Sequence, residues 1–240
     1  MTIKLFAKQT YKLGFTCAVL ACAIAAGKAQ NQITYDNASD FNGTVEYWGS
    51  YSTATFGESF YAPIAASVSL EDFTFYLSNV TYGEGGNGTI VYQADVYAWN
   101  GSQATGTALF SQNSSVTGNG TFQPVTTITG GVNLTSGAEY IAFFTTSDPA
   151  SLAANTSFAG AYAWEYVGAS TPEPNAGGGE FFLNNNQTLS QLTSTTWDAF
   201  GGGDLAWKAD FNTFPVPEPS TFALASLGTV GLFLFRRYRK

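Results

Sequence analysis

The longest alternating stretch in the chain is TIVYQADVYAW, residues Thr89–Trp99, and the dipeptide Asn100-Gly101 follows it directly. Alternation divides this stretch between two faces of a strand, with Val91, Asp95, Tyr97 and Trp99 on one face and Ala94, Val96 and Ala98 on the other. Because Asn and Gly both tolerate a positive φ, the dipeptide predicts a tight turn. Thr107–Ser111 is the predicted return strand. This stretch therefore predicts an antiparallel β protein.

Shorter segments of the same kind lie on both sides of that hairpin. Ser69–Ser78 places Phe73, Phe75 and Leu77 on one face of a strand. The other predicted strands are Phe122–Ile128, Gly131–Leu134, Glu139–Thr146, Phe158–Val167, Glu180–Leu183 and Leu205–Phe211. No extended 3.6-residue periodicity with caps interrupts them. Many short strands separated by Gly, Asn and Ser predict an all-β fold, an antiparallel, jelly-roll-like β-sandwich over residues 30–213.

The charges divide the chain into basic ends and an acidic body. Four lysines precede residue 30 and four basic residues follow Phe235, so Lys208 is the only basic residue in between. All 17 acidic residues lie between Asp36 and Glu218, which gives residues 30–219 a net charge of -16. Such a field disfavours nucleic acid and anionic lipid, and tolerates cations or neutral sugars.

The residue inventory excludes several kinds of catalysis. The chain has no histidine, and its two cysteines, Cys17 and Cys22, both lie in the N-terminal segment. A Ser-His-Asp triad and the usual zinc sites therefore cannot form. We predict a protein that is not an enzyme and needs no cofactor. Calcium stays open because an acidic body with carbonyl-rich loops suits oxygen coordination, although no EF-hand pattern is present.

The N-terminus has the layout of a secretory signal peptide, predicted to form a signal helix within residues 1–29. Three lysines in the first twelve residues precede the apolar run Leu13–Ala26, and Gly27-Lys28-Ala29 offers small residues before a cleavage site at Gln30. Two alternatives are an uncleaved N-terminal membrane anchor and lipidation at Cys22, within Val19–Cys22.

The C-terminus combines three features in residues 214–240. A short motif, Val216-Pro217-Glu218-Pro219-Ser220-Thr221, precedes the apolar run Phe222–Phe235 and the basic residues Arg236, Arg237, Arg239 and Lys240. As a helix the apolar run is about 21 Å long, so it predicts a short transmembrane helix that needs its flanks to span the bilayer. The arginines prefer the cytoplasmic side, which places the body outside. An earlier triplet, Pro172-Glu173-Pro174, lacks the apolar run and is typical of a loop.

This three-part arrangement resembles the PEP-CTERM sorting signal of exported bacterial proteins. The resemblance implies recognition by an exosortase, a membrane transpeptidase, with cleavage near the motif and transfer to the cell envelope or the exopolysaccharide matrix. Before cleavage the C-terminal helix would hold the protein in the inner membrane. A permanent, uncleaved anchor is the alternative.

The body also resembles β-sandwich domains that often precede this signal. The matching residues are Asp95–Gly101, Ala104–Phe110, Gly131–Gly137, Tyr140–Phe143 and Asp204–Phe211. This likeness implies a fold and a location but no active site. The leading prediction is an extracellular structural or adhesive protein, and the alternatives are a carbohydrate-binding module and a small envelope glycoside hydrolase.

Two residue sets carry those alternatives. Glu71 and Asp72 are adjacent, so a strand would point them to opposite faces, while Asp204 with Asp210 or Glu46 with Glu58 could meet in space. Glycan-stacking candidates are Tyr47, Trp48, Tyr51, Trp99, Trp164, Tyr166 and Trp197. We expect Trp99, Trp207 and Phe211 in the core. Trp48 and Trp197 lie beside Gly/Ser/Thr-rich stretches, so we expect both to be exposed and to be the possible glycan-stacking residues.

Overall fold

The structure is a computed structural model that describes residues 30–40, 43–49, 53–78, 88–118, 121–155, 162–167, 181–185, 188–199, 203–214, 228–229 and 236. Residues Gln32–Thr213 form one compact unit. The strands assigned to the described residues are β1 Asn31–Asp36, β2 Gly43–Trp48, β3 Thr55–Tyr61, β4 Ser67–Ser78, β5 Thr89–Trp99, β6 Ala104–Thr117, β7 Gln123–Leu134, β8 Glu139–Thr145, β9 Tyr162–Val167, β10 Phe181–Asn184, β11 Asp198–Ala199, β12 Asp204–Leu205 and β13 Trp207–Phe214. The helical elements within the described residues of 30–214 are the 3-10 turns η1 Ala38–Asp40 and η2 Leu189–Gln191 and the α-helix α1 Pro149–Ala154.

These strands form two antiparallel sheets that pack as a sandwich, which confirms the predicted fold class. The first sheet has seven strands in the order β1-β13-β4-β9-β12, with β2 added to β9 and β7 added to β4. The second sheet has six strands in the order β11-β10-β3-β8-β5-β6. The predicted signal helix lies outside the described residues, as does most of the predicted membrane helix. None of the helices within the described residues is long and apolar enough to cross a membrane.

The core between the sheets is rich in aromatic side chains. Phe144 of the second sheet packs against Phe75 and Phe73 of the first, with ring centroids 5.1 and 5.8 Å apart. Trp207 and Phe211 are fully buried in the same core, as predicted. Such rings bury large apolar areas and pack edge-to-face, which stabilises a sandwich interior.

The second sheet also buries its outer face, the face that points away from the first sheet. Alternation along β5 places Ala94 and Val96 in the core between the sheets and Tyr97 and Trp99 in a separate apolar cluster, as predicted. That cluster also contains Phe143 of β8 and Trp197, which precedes β11. The segment 188–199 and α1 pack over this face, so β5 and β8 are covered on both sides.

A β-bulge in β4 corrects one prediction from strict alternation. The pairing of β4 with β7 shifts between Leu70 and Asp72, and the residues that face the core change from Val68 and Leu70 to Phe73, Phe75 and Leu77. Glu71 and Asp72 therefore both lie on the outer face of the first sheet, where Glu71 accepts a hydrogen bond from Ser69. The prediction that they point to opposite faces is wrong because the extra residue resets the alternation.

Several elements were not predicted. Phe122–Ile128 and Gly131–Leu134 are one strand, β7, because Gly130 and Gly131 adopt positive φ inside it rather than ending it. Helix α1 has only six residues, too few for a periodic pattern, and starts at Asp148 as N-cap with Pro149 in its first turn. Strands β1 to β3 were also missed.

Candidate functional site

A polar cluster lies on the outer face of the first sheet. It consists of Thr34 on β1, Asp72 on β4, and Lys208 and Asp210 on β13, and we call it the Lys208 cluster. The Lys208 ammonium lies 2.6 Å from Asp210 Oδ2, and the Thr34 hydroxyl donates to Asp210 Oδ1. Lys208 is the only basic residue between residues 30 and 219, so the only positive side chain of the acidic body lies in this cluster.

The two carboxyl groups of this cluster respond in opposite directions. Burial raises the pKa of Asp72, and the negative charge of Asp210 adds to the rise. Burial alone would also raise the pKa of Asp210. Hydrogen bonds from Lys208 and Thr34, together with the positive charge of Lys208, outweigh the effect of burial, so the pKa of Asp210 is lowered. The pair Asp72 and Asp210 is not one that sequence spacing predicted. It forms only because β4 and β13 lie in the same sheet.

A second polar cluster, which contains two carboxyl groups, lies on the outer face of the second sheet. It consists of Gln93 and Asp95 on β5, Asp148 before α1 and Ser151 within α1, and we call it the Asp95 cluster. Asp95 is 1% exposed and Asp148 is 2% exposed. Burial raises the pKa of Asp95 to about 7. The polar side chain of Ser111, opposite Asp95 on β6, acts against this rise, and the negative charge of Asp148 adds to it.

A third buried carboxyl group, Glu58 on β3, points into the core between the sheets. Its Oε2 accepts a hydrogen bond of 2.9 Å from the backbone N–H of Leu205 on β12. Glu58 thereby links one sheet to the other. The side chain of Glu46 lies outside the described residues, so the predicted pairing of Glu46 with Glu58 stays a prediction, as does that of Asp204 with Asp210.

The two tryptophans predicted to be exposed are both buried, so that expectation is wrong. Trp48 donates its Nε1–H to Ala54 O at 3.1 Å and packs against Tyr92 and Phe144 in the core between the sheets. Trp197 donates its Nε1–H to Leu192 O at 2.8 Å and is 3% exposed. In this structure neither ring offers a face on which a sugar could stack.

The reason is that a flanking stretch rich in small polar residues can still fold onto a sheet. Trp197 packs edge-on against Trp99 and Phe143, with ring centroids 5.5 and 5.2 Å apart. Its backbone N–H donates to Ser102 O at 2.8 Å, so the turn after β5 holds it in place. Of the other stacking candidates, Trp99 is buried as predicted. Tyr51 and the side chains of Tyr47, Trp164 and Tyr166 lie outside the described residues.

Among the described residues, no group of three or more Asp, Glu, Cys or His residues is placed to hold a metal ion. Of the C-terminal sorting residues, Val216 to Thr221, Arg237, Arg239 and Lys240 lie outside the described part of the chain, and Arg236 is exposed. Sequence reasoning missed Asp148, although the pair Asp148-Pro149 is a helix-start signal.

Comparison with known proteins identifies the C-terminus. Residues 215–240 match the family model described as the PEP-CTERM protein-sorting motif, as the sequence predicted. The chain is thus a PEP-CTERM-sorted exported protein with a β-sandwich body. The motif implies processing by an exosortase and sorting to the cell surface through a C-terminal membrane anchor. No curated protein matches the sequence.

Solved structures give only weak likenesses. A clostridial cysteine protease, Cwp84 after propeptide cleavage, matches with a TM-score of 0.45 and 12% identity over 76% of this chain and 40% of that one. The cysteine protease and lectin-like domains of Cwp84, a surface layer associated protein of Clostridium difficile, match with a TM-score of 0.40 and 14% identity over 71% of this chain and 36% of that chain. The infectious bursal disease virus VP2 subviral particle follows with a TM-score of 0.28 and 15% identity, over 89% and 50%. The chain thus spans half or less of each of these chains.

Proposed function

We propose that this protein is a non-enzymatic structural or adhesive component of the cell envelope or of the exopolysaccharide matrix. The observation that carries the proposal is the sorting motif at residues 215–240, attached to a body that folds as a sandwich. A motif of this kind directs the protein that bears it to the cell surface. There a stable folded domain can contribute to the envelope or matrix as a structural component without catalysing a reaction. The partner that processes it is an exosortase.

The contacts within the body support a structural role over a catalytic one. Three buried or partly buried carboxyl groups are engaged in holding strands or helices: Glu58 links the two sheets, Asp210 binds Lys208, and Asp148 caps α1. Histidine and a cysteine outside the N-terminal segment are absent from the sequence. Association with an exopolysaccharide rests on the destination of the motif, since the tryptophans expected to stack on sugars are buried.

The experiment compares two Pro-Glu-Pro triplets in the native host. Replacing Pro217, Glu218 and Pro219 by alanine should retain the protein in the inner membrane with Arg236–Lys240 still attached, as read by mass spectrometry of its C-terminus. The matched control replaces Pro172, Glu173 and Pro174, and should leave sorting unchanged. To test the structural role, the gene is deleted, and the deletion should weaken the cohesion of the extracellular matrix. The proposal would be refuted if matrix cohesion were normal in the deletion strain or in the strain that carries the mis-sorted variant.

A further inference from the structure

The Asp95 cluster forms where the chain leaves β8 and crosses back over β5. Strand β8 ends at Thr145, which pairs with Gln93, and Asp148 follows three residues later. Helix α1 then packs on β5. Its C-cap residue Asn155 fixes it there, because Asn155 Nδ2 donates to Val91 O at 2.7 Å and Val91 N donates to Asn155 Oδ1 at 3.1 Å. This clamp holds Asp148 and Ser151 beside the outer face of β5.

Several side-chain oxygens at this corner are buried without a hydrogen bond. They are both carboxylate oxygens of Asp95, Oδ2 of Asp148, Oγ of Ser151 and Oε1 of Gln93. The other Asp148 oxygen, Oδ1, accepts from the N–H groups of Ala150 and Ser151 at 3.0 and 3.1 Å, so the first helical turn already uses its amides. Buried polar oxygens are normally paired, and five such atoms at one corner need a partner.

Among the described residues, no cationic side chain pairs with the cluster. Lys208, the one basic residue between Lys28 and Arg236, is bound to Asp210 on the first sheet. Asp95 and Asp148 are close enough to repel each other. Two buried carboxylates without a cationic side chain are strongly unfavourable unless a cation or protons neutralise them.

We propose that the Asp95 cluster is a calcium-binding site with Asp95, Asp148, Gln93 and Ser151 as its side-chain ligands. Two carboxylates balance the charge of a divalent ion, and the amide and hydroxyl oxygens are neutral donors of the kind that Ca²⁺ accepts within its six to eight ligands. Zn²⁺ and Cu²⁺ favour nitrogen and sulfur ligands, which are absent here. Bound calcium would join β5 to α1 across the outer face of the second sheet, at the cell surface where the sorting motif delivers the chain.

The test uses the full-length chain in detergent, in chelator-treated buffer at pH 8. Isothermal titration with CaCl₂ should show one bound ion per chain, and calcium should raise the unfolding temperature. Bound Tb³⁺ should show luminescence sensitised by Tyr97, since burial raises the pKa of Tyr97 and Asp95 is close enough for the charge of its carboxylate to add to that rise. Asp95→Asn and Asp148→Asn should each abolish the calcium-dependent rise. Asn retains the side-chain size and also serves as an N-cap, so α1 should keep its start.

The matched control is Asp40→Asn, an exposed carboxylate in η1. It should leave the calcium response unchanged. The proposal is overturned if the wild-type chain shows no calcium-dependent rise in unfolding temperature, in which case protons neutralise the two carboxyl groups. It is also overturned if calcium binding survives in both Asp95→Asn and Asp148→Asn, since the ion would then sit elsewhere on the acidic body. Should one variant fail to fold, the other still locates the ion, because each removes one of the two carboxylate ligands. Failure here leaves the matrix role intact, because that role is tested by sorting and cohesion.

Discussion

The outer faces of the two sheets solve the same electrostatic problem in opposite ways. Each brings two carboxyl groups together: Asp72 with Asp210 on the first sheet, and Asp95 with Asp148 on the second. On the first sheet Lys208 binds Asp210 and lowers its pKa. On the second sheet burial without a cationic side chain raises the pKa of Asp95 to about 7. The countercharge and the cover, rather than the number of acids, decide the protonation state.

The cover on the second sheet comes from residues that are distant in sequence. Trp197 and α1 exclude water from β5, whereas Asp72 on the first sheet stays partly exposed. This difference explains why the partly exposed side chain of Lys208 can neutralise one carboxyl pair, whereas the other pair needs a proton or a metal ion.

Removing the cover should have the largest effect. Trp197→Ala should lower the free energy of unfolding by about 3–5 kcal/mol, because it empties the space between Trp99 and Phe143. Urea unfolding followed by far-UV circular dichroism measures the loss. Ile64→Ala, at a residue that is 88% exposed, is the control and should change stability by no more than about 0.5 kcal/mol. Equal losses in both variants would show that segment 188–199 does not cover the sheet.

Neutralising the buried carboxyl group should stabilise the protein at alkaline pH when a chelator is present. The pKa of Asp95 is about 7 in the folded chain, against an ordinary value of 3.8. Between those two values the folded state holds a proton that the unfolded state releases, so the contribution of Asp95 to stability is most favourable below about pH 4 and is lost as pH rises to about 7. Asp95→Asn should remove that slope and gain up to about 4 kcal/mol at pH 8. Urea midpoints at pH 5 and pH 8 measure it, and parallel curves for variant and wild type would contradict it.

Adding a methyl group inside the covered face should cost an intermediate amount. A Cβ on Gly57 would lie 2.7 Å from Phe143 Cβ, and Gly57 pairs directly with Phe143 on β8. Gly57→Ala should therefore destabilise by about 1–3 kcal/mol through overpacking. Thermal unfolding measures the loss, and Thr107→Ala at an exposed position on β6 is the control. An unchanged unfolding temperature in Gly57→Ala would show that β3 and β8 can separate without cost.

Breaking the partly exposed ion pair between Lys208 and Asp210 should have the smallest effect. Lys208→Met should lower stability at pH 7 by about 1 kcal/mol, because solvent reaches Lys208, which is 34% exposed, and screens its attraction to Asp210, which is 10% exposed. The pKa of Asp210 is lowered in the folded chain, so the stabilisation is present above its ordinary value of 3.8 and is lost as pH falls below it. Urea unfolding at pH 7 and pH 3 measures the difference. A loss of the same size at both pH values would show that packing, not charge, carries the contribution.

Local sequence patterns predicted the strands whose residue types alternate along the chain. The bounds of β5 agree with the predicted Thr89–Trp99, since alternation runs along it and Asn100-Gly101 ends it. Strand β3 was missed because Gly57 and Glu58 interrupt the apolar pattern of a strand in which six of seven residues are buried. The β-bulge at Glu71 was not predicted either, because no residue type in Leu70–Asp72 marks the position at which β4 has one residue more than its partner strand β7.

The sequence by itself determined where the protein goes and what class of fold it adopts, because the sorting motif, the basic ends and strand alternation are all contiguous patterns. Only the tertiary structure decided which acids meet, which tryptophans are buried and where a cation could bind. Asp95 and Asp148 are 53 positions apart, and Trp99 and Trp197 are 98 positions apart. Such contacts depend on strand order, since a sheet places distant residues side by side, and no local spacing encodes that order.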